Sequence, residues 1–79
     1  MTGLLETRKM YLRIDPRQIH FLKFVLEGYD GLAVLSTVDA GAGVVLLRFP
    51  EHSAAVLIDL LADLAAVIAP QSKSSEFLI

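Results

Sequence analysis

The run Glu27-Gly28-Tyr29-Asp30-Gly31 places two carboxylates and a phenol between two glycines. Gathered at a pocket mouth, Glu27, Tyr29 and Asp30 would offer acceptors and one donor to a polar ligand. The same residues suit a helix C-terminus, where a glycine takes the left-handed conformation and the tyrosine anchors the loop. That structural reading is the favoured one. Thr37 and Asp39 form a second polar pair at the end of a strand-like run. Such side chains can hold a ligand at a hairpin rim, but more often they bond their own turn. With Asp15, which precedes Pro16, the candidate ligand-binding residues are Asp15, Tyr29, Asp30, Thr37 and Asp39, expected near a subunit interface.

Other chemistries lack their residues. His20 and His52 are the only histidines, and neither has a third ligand at metal-site spacing, so no metal is expected. Cysteine is absent, which excludes a disulfide framework, a thiolate metal site and a cysteine nucleophile. There is no Gly-x-Gly-x-x-Gly, no phosphate-cradling loop with lysine and no nucleophile elbow. No two carboxylates are set by spacing alone for acid–base work. Neither catalytic residues nor a cofactor are expected, and the chain is not read as an enzyme.

Arg8, Lys9, Arg13, Arg17 and Lys23 carry most of the positive charge, and Tyr11 lies close to Arg13. Some α+β sheets bind RNA through aromatic residues on their central strands. Here the expected central strands carry valine and leucine instead. Seven basic against nine acidic side chains leave a net charge of −2. Nucleic acid is therefore not expected as a partner.

These residues must be positioned by a small number of elements. The stretch 43–49, Gly-Val-Val-Leu-Leu-Arg-Phe, is apolar on both alternating faces, as a central strand buried on both sides would be. Residues 8–14 alternate, with Met10, Leu12 and Ile14 on one face and Lys9, Tyr11 and Arg13 on the other. Asp15-Pro16 then opens a helix, with aspartate as N-cap, proline at the first position and Gln18 placed as in a capping box. The three- and four-residue spacing of Ile19, Leu22, Val25, Leu26 and Tyr29 predicts a helix over 16–27, with Phe21 and Phe24 widening its apolar face. A second strand is predicted over 32–38. Asp39-Ala40-Gly41-Ala42-Gly43 is a turn-rich connection of hairpin length, leading to a third strand over 44–49. Pro50 opens a second helix over 51–68, with Ala54, Leu57, Ile58, Leu61, Leu64, Ala65 and Ile68 inward, and Pro70 ends it.

The predicted order is β-α-β-β-α with sheet order 1-3-2, or 4-1-3-2 if Phe77-Leu78-Ile79 adds a strand. This is an α+β, ferredoxin-like split β-α-β arrangement, an antiparallel sheet with two helices on one face. The 79 residues make one domain, with a core over about 8–69 and a tail over 70–79. No segment is apolar for long enough to span a bilayer, and the absence of cysteine fits a reducing cytoplasm.

A domain this short buries only about 60% of its unfolded surface, yet 54% of its residues are apolar. Two helices on one face leave the other face of the sheet open. That face is expected to carry Val45, Leu47 and Phe49, with Ala33 and Leu35 or with Leu32 and Val34. A second copy covering it by sheet-to-sheet packing, or an edge strand pairing across a two-fold axis, is the central expectation, making a homodimer or higher homo-oligomer. An adaptor that docks another protein through this apolar sheet face, or through the C-terminal tail, is the alternative.

The segments Tyr11-Leu12-Arg13-Ile14-Asp15-Pro16, Phe24 to Ala33 and Thr37-Val38-Asp39 resemble a family of very short bacterial proteins of unknown function. The resemblance covers residues 10–68. It implies a stand-alone cytoplasmic protein and brings no known activity. The element pattern also looks like that of the ACT regulatory domains, which bind amino acids at subunit interfaces near a glycine-containing turn after the first strand. In this chain that turn is Asp15-Pro16, without glycine. The resulting reading is a non-catalytic, homo-oligomeric ligand-binding or regulatory module of ACT-like form.

Overall fold

Two proline signals set the framework. Pro16 and Pro50 each stand where a strand gives way to a helix, and each helix begins with a tighter 3₁₀ turn. The computed structural model describes residues 7–70. Strand β1 (Thr7–Arg13) leads through the turn Pro16–Gln18 into helix α1 (Ile19–Glu27). Strands β2 (Val34–Asp39) and β3 (Val44–Pro50) form a hairpin, and the turn Glu51–Ser53 leads into helix α2 (Ala54–Ile68). The N-terminal residues 1–6, and the tail in which a fourth strand was considered, lie outside the described residues.

The sheet has three strands in the order β1-β3-β2, with β3 antiparallel to both neighbours. The order β-α-β-β-α and the insertion of the third strand between the first two follow the sequence reading. β3 is central, in keeping with its doubly apolar sequence.

Register decides which face is which, because residues directly opposite in an antiparallel pair share a face. Met10 and Leu35 both pair with Leu47, and Leu12 pairs with Val45. Val45 and Leu47 are fully buried and Phe49 nearly so, in one cluster with Ile19, Leu22 and Leu26 of α1 and Leu57 and Ile68 of α2. This is the protomer's own core. The expected interface set is thus corrected: Val45, Leu47, Phe49 and Leu35 face inward, and Ala33 packs half-buried against the same cluster. The physical reason is competition for the helices. The most apolar face of the sheet takes the two helical faces, which leaves the other face open. These residues therefore offer no exposed face for docking another protein.

The open face runs in three rows across the strands. Lys9, Arg48 and Val34 form one row, Tyr11, Leu46 and Ser36 the next, and Arg13, Val44 and Asp39 the last. It is a mixed face, polar at its corners. The surplus apolar surface lies on the helices instead. All residues of α2 are apolar except Asp59 and Asp63, yet only Leu57 and Ile68 are buried in it. Val56, Ile58 and Val67 stand about half exposed, and on α1 Phe24 is 74% exposed. Ile58 and Ala65, expected inward, are exposed. Tyr29, also expected inward, lies just past α1 and is 45% exposed.

Candidate functional site

Asp15, Tyr29, Asp30, Thr37 and Asp39 do not converge. Thr37 pairs with Val45 and Asp39 with Val44, while Arg13, two residues before Asp15, also pairs with Val44. These positions occupy the hairpin end of the sheet. Tyr29 and Asp30 precede β2 and border Pro50, at the opposite end. At ~3.3 Å per residue a six-residue strand separates the two groups by roughly 20 Å.

At the hairpin end the polar atoms are occupied by structure. Asp15 caps the first turn: its Oδ1 accepts from the Arg17 backbone N–H (2.9 Å) and from Arg17 Nε (3.2 Å). Its Oδ2 accepts from Arg17 Nη2 at 3.0 Å. The Arg17 side chain, its backbone N–H and its charge hold the Asp15 carboxyl below the ordinary aspartate range, against the opposing effect of burial. The expected capping box is therefore half realised, since the aspartate caps with Arg17 as its partner. Asp39 Oδ1 accepts from the Ala42 N–H (3.0 Å) and so closes the hairpin turn. Both aspartates do the local work that the sequence favoured for such residues.

The backbone is knotted here as well. The Ile14 N–H donates to Gly43 O (2.7 Å), and the Asp15 N–H donates to Ile68 O at the end of α2 (2.8 Å). Gly43 has φ +75°, and a Cβ on it would lie 1.9 Å from the carbonyl oxygen of Ile14. Only glycine fits this approach.

The opposite end is the more open. A cleft of about 580 Å³ lies between the end of α1 and the sheet, lined by residues that include Thr7, Glu27, Tyr29, Asp30 and Arg48. A second, of about 530 Å³, lies across the same loop and includes Tyr29, Asp30, His52 and Ser53. The loop 29–31 is thus a ridge between two hollows. Gly31, at φ +73°, supplies the left-handed turn expected of this segment. The sequence reading named Glu27, Tyr29 and Asp30 but missed Arg48 and His52. Their convergence depends on the antiparallel β2–β3 hairpin, which brings the end of β3 to the start of β2. The first cleft joins two carboxylates, a phenol and a guanidinium over an apolar floor of Leu26 and Phe49. Such a set can orient a small ligand bearing both an amine and an acid by charge-assisted hydrogen bonds. Among the described residues no three His, Cys, Asp or Glu side chains gather as a metal site would require.

The chain belongs to the DUF4911 family. The family model, a domain of unknown function, matches residues 12–68, most of the chain. Neither the comparison with curated proteins nor that with solved structures finds a match. The DUF4911 match runs from the last two residues of β1 to the last residue of α2, so it covers β2, β3, both helices and the 29–31 ridge. Among the described residues of this DUF4911 domain, no helix is long and apolar enough to cross a membrane.

Proposed function

We propose that this DUF4911 domain is a cytoplasmic, non-catalytic, homo-oligomeric ligand-binding or regulatory module with a ferredoxin-like, ACT-like arrangement of its elements. The observation that carries the reading is helix α2, which is apolar on nearly every side but buries only Leu57 and Ile68 within its own protomer. A helix apolar all round is ordinarily buried all round. Removing the exposed parts of Val56, Ile58 and Val67 from water would contribute roughly 1 kcal/mol each, a sizeable fraction of the stability of so small a domain. A second copy packed on the helical layer is the occupant we favour. The cleft beside Tyr29, Asp30 and Arg48 is the ligand site in this reading.

Light scattering coupled to size exclusion tests the assembly. A dimer or larger species at micromolar concentration is expected, and a monomer at ~100 µM would remove the reading. Thermal-shift screening against amino acids tests the cleft. A stabilising ligand should lose its effect in Arg48→Ala and in Asp30→Ala; the absence of any stabilising amino acid counts against an ACT-like site.

A further inference from the structure

The open face of the sheet has a charge pattern that folding alone does not favour. Lys9 and Arg48 are paired directly across β1 and β3, on the face away from the core. Like charges placed directly opposite destabilise a sheet. Arg13 stands four residues along β1 from Lys9, on the same face. None of the three has an ion-pair partner among the described residues, whereas Arg8 pairs with Glu51 and Arg17 with Asp15. The only carboxylate in the three strands is Asp39, at the hairpin end, with its Oδ1 bonded to the turn. The net charge of −2 therefore conceals an uneven distribution: among the described residues this face sets three cations, Lys9, Arg13 and Arg48, against one carboxylate, Asp39. Between Lys9 and Arg13 lies Tyr11, 67% exposed and paired with the buried Leu46.

We propose that this face binds single-stranded nucleic acid, with a base stacked on Tyr11 and phosphates held by Lys9, Arg48 and Arg13. Single strands are bound by cationic surfaces that track the backbone and by aromatic rings that stack bases. Both parts are present here on one rigid sheet. Lys9 and Arg13 are about 13 Å apart along the strand, too far for one nucleotide to bridge but suited to a short strand. An isologous face-to-face pairing of two copies is disfavoured, because it would set three cations against three. The proposal goes beyond the proposed function; it shares Arg48 with the cleft, and the readings fail separately because mass reads the assembly, Asp30→Ala reads the cleft and Tyr11→Ala reads the open face.

The test is fluorescence anisotropy with labelled 12-nucleotide RNA and DNA of mixed sequence, using the full chain. The expected Kd lies between about 1 and 100 µM at low salt. Three phosphate contacts give a logarithmic salt slope near −2, or about a twenty-fold loss of affinity from ~50 to ~200 mM salt. Tyr11→Ala should weaken binding by about 5- to 150-fold, as the loss of one stacked base does. Arg48→Glu should weaken it at least as much, and Lys23→Ala, on α1 away from the face, should leave it unchanged. Far-UV circular dichroism checks that each variant is folded. No binding up to ~100 µM protein would overturn the proposal. So would binding untouched by Tyr11→Ala, equal affinity for polyglutamate, or capture of anionic phosphatidylserine vesicles without oligonucleotide binding.

Discussion

Replacing Gly43 by alanine gives the most demanding check on the fold. Two costs are separable. The first is the left-handed backbone at φ +75°, about 1–2 kcal/mol for an L-residue. The second is steric: the new Cβ would lie 1.9 Å from Ile14 O, 3.0 Å from Ile14 C and 3.2 Å from Pro16 Cδ. Carbon and oxygen cannot approach so closely, so β1 and the hairpin must part by more than ~1 Å. That parting breaks the Ile14 N–H to Gly43 O bond and strains the neighbouring Asp15 N–H to Ile68 O bond. Each is worth about 0.5–1.5 kcal/mol. Together the terms reach roughly 2–5 kcal/mol, against a total stability of about 4–12 kcal/mol for a chain of this length. Gly31 is the internal control. Its φ is +73°, but a Cβ there meets nothing within 4 Å. Gly31→Ala should therefore cost only the backbone term, about 1–2 kcal/mol. Urea titration followed by circular dichroism at 222 nm measures both variants against the parent. A Gly43→Ala value within ~0.5 kcal/mol of Gly31→Ala would refute the close approach of Gly43 to Ile14.

Further outcomes follow from other parts of the molecule. Leu47→Ala should cost about 2–5 kcal/mol in the same titration, while Tyr11→Ala on the open face should fall within about 0.5 kcal/mol of the parent; the reverse order would mean that the two faces are misassigned. Because Asp15 is held below its unfolded pKa, its contribution to stability is present above ordinary aspartate values and is lost as pH falls through the lowered value. Arg17→Ala should shift that acid limb of a pH–stability curve upward, and an unchanged limb would show that the pair does not act on it. Val56→Lys with Val67→Lys should lower the mass seen by light scattering without loss of helical signal; an unchanged oligomer would exclude that flank of α2 from the interface.

Most of the fold was legible in the sequence, and the reasons are local. Pro16, Pro50 and Pro70 punctuate the chain where helices start or stop, and Gly31 and Gly43 mark the two left-handed turns. The apolar run of β3 identified the central strand, and the connection lengths then fixed the order of the sheet. The direction in which β3 faces was not legible. Both of its faces are apolar, with Val44 and Leu46 on one side and Val45, Leu47 and Phe49 on the other, so the pattern gives no inside. Register against β1 settles it: the Met10, Leu12 and Ile14 face of β1 must be the inner one, and β3 follows. The candidate site was half legible for a similar reason. The polarity of Tyr29 and Asp30 stands out along the chain, but Arg48 joins them only through strand pairing. The burial of α2 was overestimated because its repeat is apolar almost everywhere, and periodicity cannot choose a face when most faces qualify.

β2 does not run regularly to its end. Its pairing with β3 shifts between Thr37 and Asp39, where one extra residue is accommodated. Such a bulge twists an edge away from any newcomer. The opposite edge, β1, carries Arg8, Lys9 and Arg13, whose charges would repel the same strand of another copy. Neither margin of the sheet therefore invites a foreign strand to extend the ladder. In a crowded solution this apolar little protein is guarded against fibre-like stacking at both borders, so its exposed apolar surface on α2 can be covered without a growing ladder of strands.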